Sequence, residues 1–226
     1  MGVVDEPGGF RAFFADGVAV EELTAIIRRP PVSVRQEAEC DWAQVSRDSF
    51  PAVLVGERFF LAPPWNDDPT PERRLRLTIN PGMVCGTGYH PCTQMCLDAL
   101  ERCLRPGDAV LDVGVGSGIL SQAAILLGAG LVIGCDIDPE AVEGARERVS
   151  SLLFAGSADA VRDARFDVVV ANISASAAEE LAPEFARVRR SGSRLIVSGF
   201  QDGEVPEGFA ATSTLRLEGW VCLILD

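Results

Sequence analysis

With 226 residues, 47% of them hydrophobic, the chain is long enough for one large domain, or for one domain with a small appendage, and too apolar to be disordered. Its formal net charge of −13 excludes the basic surface that a nucleic-acid backbone attracts, and it suits a basic partner. The simpler interpretation is that the negative charge keeps the protein soluble.

The front third of the chain is rich in proline. Residues 17–29 have helical spacing of apolar residues and precede Pro30 and Pro31, which predicts a helix. Residues 32–39 predict a short strand, and two more short strands are expected on either side of Gly56. This part is therefore predicted to be a small α+β segment followed by a linker.

From residue 91 onward, strand and helix patterns alternate. Residues 91–104 form an apolar stripe at helical spacing and predict a helix that ends before Pro106. Buried strands and amphipathic helices are then predicted in the order "AVLDVGVG", "ILSQAAILLGA", "LVIGCDID", "PEAVEGARERVSS", "LLFAGSA", "FDVVVANI", "SAAEELAPEFARVRR" and "SRLIVSGF".

The tail "ATSTLRLEGWVCLILD" adds two strands with no helix between them, which favours a terminal antiparallel hairpin. Continuously apolar strands that alternate with helices are typical of a parallel sheet covered on both faces. The prediction is an α/β protein with a Rossmann-like, doubly wound, mostly parallel seven-stranded sheet.

The composition also bears on metals, membranes and compartment. The seven cysteines form no CxxC pair, and there is one histidine, so free thiols in a reducing compartment are expected and a metal site is not. The N-terminal residues lack a signal-peptide pattern, and the longest apolar run, 125–135, is far shorter than the ~20 residues that span a bilayer. We expect a soluble, cytoplasmic, monomeric protein without a membrane contact.

The segment "VLDVGVGSGIL" joins the first buried strand to a helix through three alternate glycines. Gly114 and Gly116 let the backbone approach a ligand at a helix N-terminus, although a tight strand-to-helix turn alone would also explain them. A dinucleotide-binding fingerprint needs Gly or Ala at Ile119, so a nicotinamide dehydrogenase is disfavoured.

The next strand ends in an acidic residue, Asp136, which follows Gly114 by 22 residues. A carboxylate about 20 residues after such a turn meets the ribose hydroxyls of a bound nucleoside. Asp136 could instead cap the following helix, but Asp138, directly before Pro139, is the better cap candidate.

Asp112 followed by three alternate glycines, with an acid at the end of the second strand, resembles the class I S-adenosylmethionine-dependent methyltransferases. Several blocks in order resemble the PrmA family, which trimethylates amino groups of the large-subunit ribosomal protein eleven. They are "PGMVCGTGYHPCTQMCLDALE", "LDVGVGSGILSQAAILLGA", "GCDIDPEAV", "VVVANISA" and "LIVSGF", with a similar linker, "DWAQVSRDSF…VGERFFLAPPW", upstream.

The resemblance implies a site for S-adenosylmethionine at Thr93, Gly114, Asp136 and Asn172, and the glycine turn adds Gly116. Thr93, Gly114, Gly116 and Asp136 would bind the cofactor, and Asn172 would bind it and place the acceptor amine as the catalytic residue. A helix-capping hydroxyl at Thr93 and an amide that satisfies a strand end at Asn172 are the structural alternatives.

His90 is the obvious candidate for a base, but a loop histidine that orders backbone or packs on the cofactor is the preferred interpretation. Methyl transfer from a sulfonium is an in-line displacement, so the protein mainly positions the reactants. An apolar entrance lowers the pKa of an amine, and bulk water can take its proton.

The resemblance also sets the domain organisation. Residues 1–40 would be a truncated substrate-recognition segment, 41–80 a linker, and 81–226 the cofactor-binding domain. The segment "QDGEVPEGFA" is too rich in Gly and Pro for the helix expected there, and Cys92 replaces the usual threonine. Methylation of another protein or of a small amine, and a degenerate cofactor-binding protein, are therefore kept as alternatives.

Overall fold

The computed structural model describes residues 2–6, 9–13, 33, 50–79 and 88–226, the first two ranges by their backbone alone. The helix predicted over 17–29, the strand predicted over 32–39 apart from Ser33, and most of the block that precedes His90 lie outside the described residues. The chain divides into two compact units, Met1–Val45 and Ser46–Asp226. The three-part division inferred from the sequence stays a prediction.

The first unit contains an antiparallel pair of strands that the sequence analysis did not predict. Strand β1 is Gly2–Glu6 and strand β2 is Gly9–Phe13, with Gly2 opposite Phe13.

A three-stranded sheet opens the second unit. Strands β3 (Val53–Val55) and β4 (Phe59–Ala62) lie on either side of Gly56, as predicted, and they pair antiparallel. Strand β5 (Leu75–Thr78) pairs parallel to β4 and was missed, although Leu75 and Leu77 alternate with Arg76 and Thr78. The Arg76 guanidinium lies 5.2 Å from the centre of the Phe60 ring, so its stem covers apolar surface.

The seven predicted strands of the large sheet are all present. They are β6 (Ala109–Val113), β7 (Leu131–Asp136), β8 (Leu152–Ala155), β9 (Phe166–Asn172), β10 (Arg189–Gln201), β11 (Ser213–Leu217) and β12 (Trp220–Leu225). The α-helices in the described residues are α1 (Pro91–Cys103), α2 (Ile119–Leu126), α3 (Pro139–Arg146) and α4 (Ala175–Val188).

The strand order is β11-β12-β10-β9-β6-β7-β8. Neighbours from β8 to β10 are parallel, and β12 is antiparallel to both β10 and β11, so the predicted mostly parallel sheet with a terminal hairpin is confirmed. The chain leaves β6 toward β7 and β8 and then returns to β9 on the other side of β6. Ligands bind such folds at this switch point, beyond the carboxyl ends of the strands.

Helices cover both faces of the sheet, which explains why its strands are continuously apolar. Val110 packs in one core with Leu97 of α1, whereas its neighbour Leu111 packs in the other with Phe185 of α4. All four side chains are fully buried.

Some element ends differ from the prediction. Helix α3 ends at Arg146, although the helical pattern extends to residue 151, because Arg148 and Val149 both donate to the Ala145 carbonyl in a closing turn. After β10 the chain forms only a three-residue 3₁₀ turn, Asp202–Glu204, so the expected loss of a helix there is confirmed.

Candidate active site

The glycine turn lies at the carboxyl end of β6, the central strand of the switch point. Gly114, Gly116 and Gly118 all have positive φ, of 77°, 48° and 81°, a region that suits glycine. The amides of Gly114 and Val115 both donate to the Cys135 carbonyl, which ties the turn to β7. A Cβ on Gly114 would lie 2.6 Å from Ile173 Cγ2, so the turn also packs tightly against the chain beyond β9.

Asp136 ends β7 beside this turn and is half-buried. Its Oδ2 accepts from the Gly116 amide at 2.9 Å, and its Oδ1 accepts from the Asp138 amide at 3.0 Å. Each carboxylate oxygen has a further lone pair, so the aligned carboxylate can still accept from ribose hydroxyls. Asp138 caps α3 by accepting from the Glu140 amide, as predicted.

Thr93 and Asn172 meet although 79 residues separate them. Thr93 is buried in the first turn of α1, and Asn172 is the last residue of β9. Asn172 Nδ2 donates to Thr93 Oγ1 at 3.2 Å, which leaves the amide's oxygen as the group able to accept an N–H from an amine. The structure thus places Thr93, the glycine turn, Asp136 and Asn172 at one edge of the sheet.

His90 caps helix α1 and is exposed. Its Nδ1 accepts from the Cys92 amide at 3.3 Å, and its ring contacts Trp220 edge-on with 4.5 Å between ring centres. In neutral imidazole only one nitrogen has a free lone pair, and the cap engages that one. The geometry therefore favours an ordering role over that of a base, as the sequence analysis preferred.

Asp112, the acid that precedes the glycine turn, lies in an unusual environment that the sequence motif does not reveal. The side chain is fully buried, its Oδ2 accepts from Ser121 Oγ at 2.7 Å, and its Oδ1 has no hydrogen-bond partner among the described residues. The pKa of Asp112 is raised to about 7, mainly by burial; hydrogen bonds from Ser121 oppose the rise, and the nearby charge of Asp136 adds to it. An acid in the apolar run "VLDVG" was the sequence signal for it.

Gly199 is a second residue whose position the sequence did not reveal. It lies in β10 at φ 109°, and a Cβ there would be 2.2 Å from the Ile173 carbonyl oxygen. The Ile173 amide donates to the Ser198 carbonyl at 2.8 Å. This close backbone packing fixes the position of Ile173, the residue directly after Asn172.

The described residues also bear on two other kinds of site. No group of three His, Cys, Asp or Glu side chains is arranged there to hold a metal ion. Within the same ranges no helix is both long and apolar enough to cross a membrane. The cysteines that the structure describes, Cys92, Cys96, Cys103, Cys135 and Cys222, are free thiols.

Comparisons with known proteins agree with this geometry. A family model described as ribosomal protein L11 methyltransferase (PrmA) matches residues 13–226. The ribosomal protein L11 methyltransferase of Burkholderia lata is 39% identical over 96% of this chain and 74% of that protein. The one of Cupriavidus taiwanensis is 40% identical over 86% of this chain and 68% of that protein.

Solved structures give the same result. The ribosomal protein L11 methylase of Lactobacillus delbrueckii subsp. bulgaricus aligns with a TM-score of 0.71 and 27% identity, over 78% of this chain and 98% of that chain. An RNA methyltransferase of Salinibacter ruber, in complex with S-adenosyl-L-homocysteine, aligns with a TM-score of 0.50 and 24% identity, over 60% of this chain and 92% of that chain. The latter likeness is one of fold.

Proposed function

This chain belongs to the ribosomal protein L11 methyltransferase (PrmA) family, and we propose that it transfers methyl groups from S-adenosylmethionine to lysine or N-terminal amines of ribosomal protein L11. The observation that carries the proposal is the meeting of Thr93 and Asn172, at 3.2 Å, beside the glycine turn and Asp136. When bound, the cofactor supplies a methyl group on a positively charged sulfur.

The residues at the sheet edge fit this cofactor. The turn at Gly114 and Gly116 is half-buried and carries no side chain, so a ligand can approach its backbone closely. The half-buried carboxylate of Asp136 suits ribose hydroxyls. The unpartnered oxygen of Asp112 suits a cationic group, because a buried carboxylate is costly without a partner.

Each residue of the site would then have a distinct role. Asp136, aligned by two backbone amides, accepts hydrogen bonds from the ribose, and Gly114 and Gly116 border the methionine end. Thr93 lies in the first turn of α1, where its hydroxyl and the free N–H groups of the helix N-terminus would bind the carboxylate of the cofactor.

Asn172 places the acceptor. Its Nδ2 is held by Thr93 Oγ1, so the side-chain oxygen can accept an N–H of the incoming amine and align its lone pair for in-line attack. A lysine must lose its proton first. Because the His90 lone pair is engaged in the cap of α1, water takes that proton in this proposal.

We also propose the partners and the compartment. A net charge of −13 supports contact with a basic protein rather than with nucleic acid. The enzyme would act as a monomer in the cytoplasm without touching a membrane, with residues 1–40 contributing to substrate recognition.

The test offers isotopically labelled S-adenosylmethionine to purified L11, to a ribosomal protein mixture and to free lysine. Label in L11 supports the proposal. Label only in another protein or in the small amine would refute the substrate, and no label in any acceptor would refute the activity.

The cofactor site is tested with Asp136→Asn, and Asp138→Asn serves as the matched control because asparagine also caps helices. Loss of a hydrogen bond to a charged acceptor costs about 1.5–3 kcal/mol, so S-adenosylhomocysteine should bind Asp136→Asn about ten- to a hundredfold more weakly. Calorimetry measures both affinities. Equal affinity in the two variants would show that Asp136 does not bind the cofactor.

A further inference from the structure

The 226 residues of the chain include no lysine. All 20 of the basic residues are arginines, although charged residues make up 23% of the chain, close to the average of about 25% for soluble proteins. Lysine is one of the commonest residues in such proteins. The chain thus has an ordinary charge content from which lysine alone is missing, and lysine is the side chain that carries the proposed acceptor amine.

The structure requires arginine at some positions and not at others. Arg187 donates from Nε to Glu184 Oε2 and from Nη1 to the Val161 carbonyl, so it uses two nitrogens where lysine has one. Arg216 instead forms an exposed ion pair, in which its Nε lies 3.0 Å from Asp202 Oδ1. A lysine ammonium would serve such a surface pair equally well. The contacts of Arg216 therefore do not explain why the residue is arginine.

Arginine and lysine differ as acceptors of a methyl group. A lysine amine has an ordinary pKa of about 10.4, which desolvation lowers, so the amine can lose its proton and attack. The arginine guanidinium has a pKa above about 12 and stays protonated in proteins. A site that aligns the lone pair of an unprotonated amine therefore accepts lysine and rejects arginine.

The proposed acceptor site lies beside the enzyme's own exposed surface. Asn172 ends β9, and helix α4 begins three residues later. Ser176, in the first turn of α4, is exposed, and its hydroxyl lies 3.2 Å from the hydroxyl of Ser174, the N-cap. A side chain tethered near a site has an effective concentration of about millimolar, at or above the usual KM range of about 1 μM to 1 mM. A lysine on this surface would compete with a protein substrate.

The charge of this edge of the sheet would strengthen the competition. Asp136 ends β7, Asp138 caps the helix that follows, and Asp202 and Glu204 lie in the turn after β10. Carboxylates at the rim of a site attract ammonium groups and raise their local concentration. The edge would therefore draw lysine side chains of the enzyme itself as readily as those of a substrate.

We propose that the replacement of lysine by arginine throughout this chain protects the enzyme's own side chains from methylation. In the reaction that is prevented, a lysine nitrogen would form a bond to the methyl carbon as the bond from carbon to sulfur breaks. The sulfur would keep the electron pair of that bond, and water would take the amine proton. The inference rests on the proposed function, since it requires that the chain methylates lysine amines.

The experiment introduces a lysine beside Asn172. Ser176→Lys is incubated with isotopically labelled S-adenosylmethionine and no other acceptor, and mass spectrometry of its peptides separates side-chain label from label on the α-amino group. Ser176→Arg is the matched control, because it adds the same charge without an acceptor amine. We expect label at position 176 of Ser176→Lys, at a rate per enzyme that does not depend on enzyme concentration. Ser176→Arg and the native protein should gain at least about tenfold less side-chain label.

Further variants make the result independent of one position. Glu180→Lys and Glu180→Arg repeat the pair one turn further along α4, at an exposed residue away from the helix cap. Arg190→Lys places an amine at the start of β10, at the opposite edge of the sheet, where it can still pair with Asp167. It should gain label at least about tenfold more slowly than Ser176→Lys, because it lacks the tethered proximity. Urea unfolding and methylation of L11 check that each variant is folded and active.

The outcomes separate the two proposals. If the native protein labels neither L11 nor any other amine, the proposed function fails and this inference falls with it. If the native protein is active but the folded and active lysine variants on α4 stay unlabelled, only the inference is overturned, because lysine beside the site would then be harmless. Side-chain label on the native protein, or equal label in the lysine and arginine variants, would also overturn it.

Discussion

Replacing Asp112 with asparagine is expected to remove a loss of stability that the free protein undergoes as the pH rises towards neutrality. The folded protein raises the pKa of Asp112 from its ordinary 3.8 to about 7. Between these two values the folded state keeps a proton that the unfolded chain has lost. The free energy of unfolding therefore falls as the pH rises from about 4 to 7, and above 7 this loss is complete.

The size of the effect follows from the shift. A rise of about three pKa units, at about 1.4 kcal/mol each, corresponds to about 4 kcal/mol. This is a large part of the total stability of an ordinary domain, which is about 5–15 kcal/mol. Asparagine does not ionise, so the free energy of unfolding of Asp112→Asn does not fall in this way. Relative to the native protein, the free energy of unfolding of the variant should therefore rise by up to about 4 kcal/mol between pH 4 and 8.

Urea unfolding of both proteins at several pH values between 4 and 8 measures this difference. If the asparagine also destabilises the protein by a constant amount, for example through an unpaired amide, its free energy of unfolding is lower at every pH. The dependence on pH stays the same. Asp138→Asn, at an exposed carboxyl that caps α3, is the control and should follow the native profile. Parallel profiles for Asp112→Asn and the native protein would refute the reasoning.

Two further substitutions test how the site is held. Thr93→Val removes the oxygen that accepts from Asn172 Nδ2, so kcat/KM should fall about tenfold, whereas Thr93→Ser keeps the oxygen and should stay within about threefold of native activity. Gly199→Ala would place its Cβ 2.2 Å from the Ile173 carbonyl oxygen at φ 109°, and it should cost about 2 kcal/mol or more in urea unfolding. Gly203→Ala, which meets nothing within 4 Å, is its control and should cost less than about 1 kcal/mol. Native-like kinetics in Thr93→Val, or equal stability of the two alanine variants, would contradict these contacts.

The fold was predictable because its signals are local. Continuously apolar strands that alternate with amphipathic helices indicate a sheet buried on both faces, whatever the strand order. The hairpin of β11 and β12 followed from two strand patterns with no helix between them. Strand β5 was missed although its residues alternate between apolar and polar, because it is only four residues long and its pairing with β4 is what establishes it as a strand.

The candidate site was predictable only in part. A glycine turn and an acid at the end of the next strand are separated by a characteristic distance in sequence, and both patterns follow from one strand–helix–strand unit. Thr93 and Asn172 were placed through resemblance to the family, since they are 79 positions apart in the sequence. Strand pairing is what brings them together, through β9 beside β6 and α1 packed against β9.

The sequence by itself determined the type of fold, the position of the glycine turn and the family blocks, because each depends on residues that are close along the chain. Only the tertiary structure decided the environment of Asp112, the orientation of Asn172 and the capping role of His90. Burial, unpaired oxygens and engaged lone pairs depend on which distant segments come into contact, and packing alone fixes those contacts.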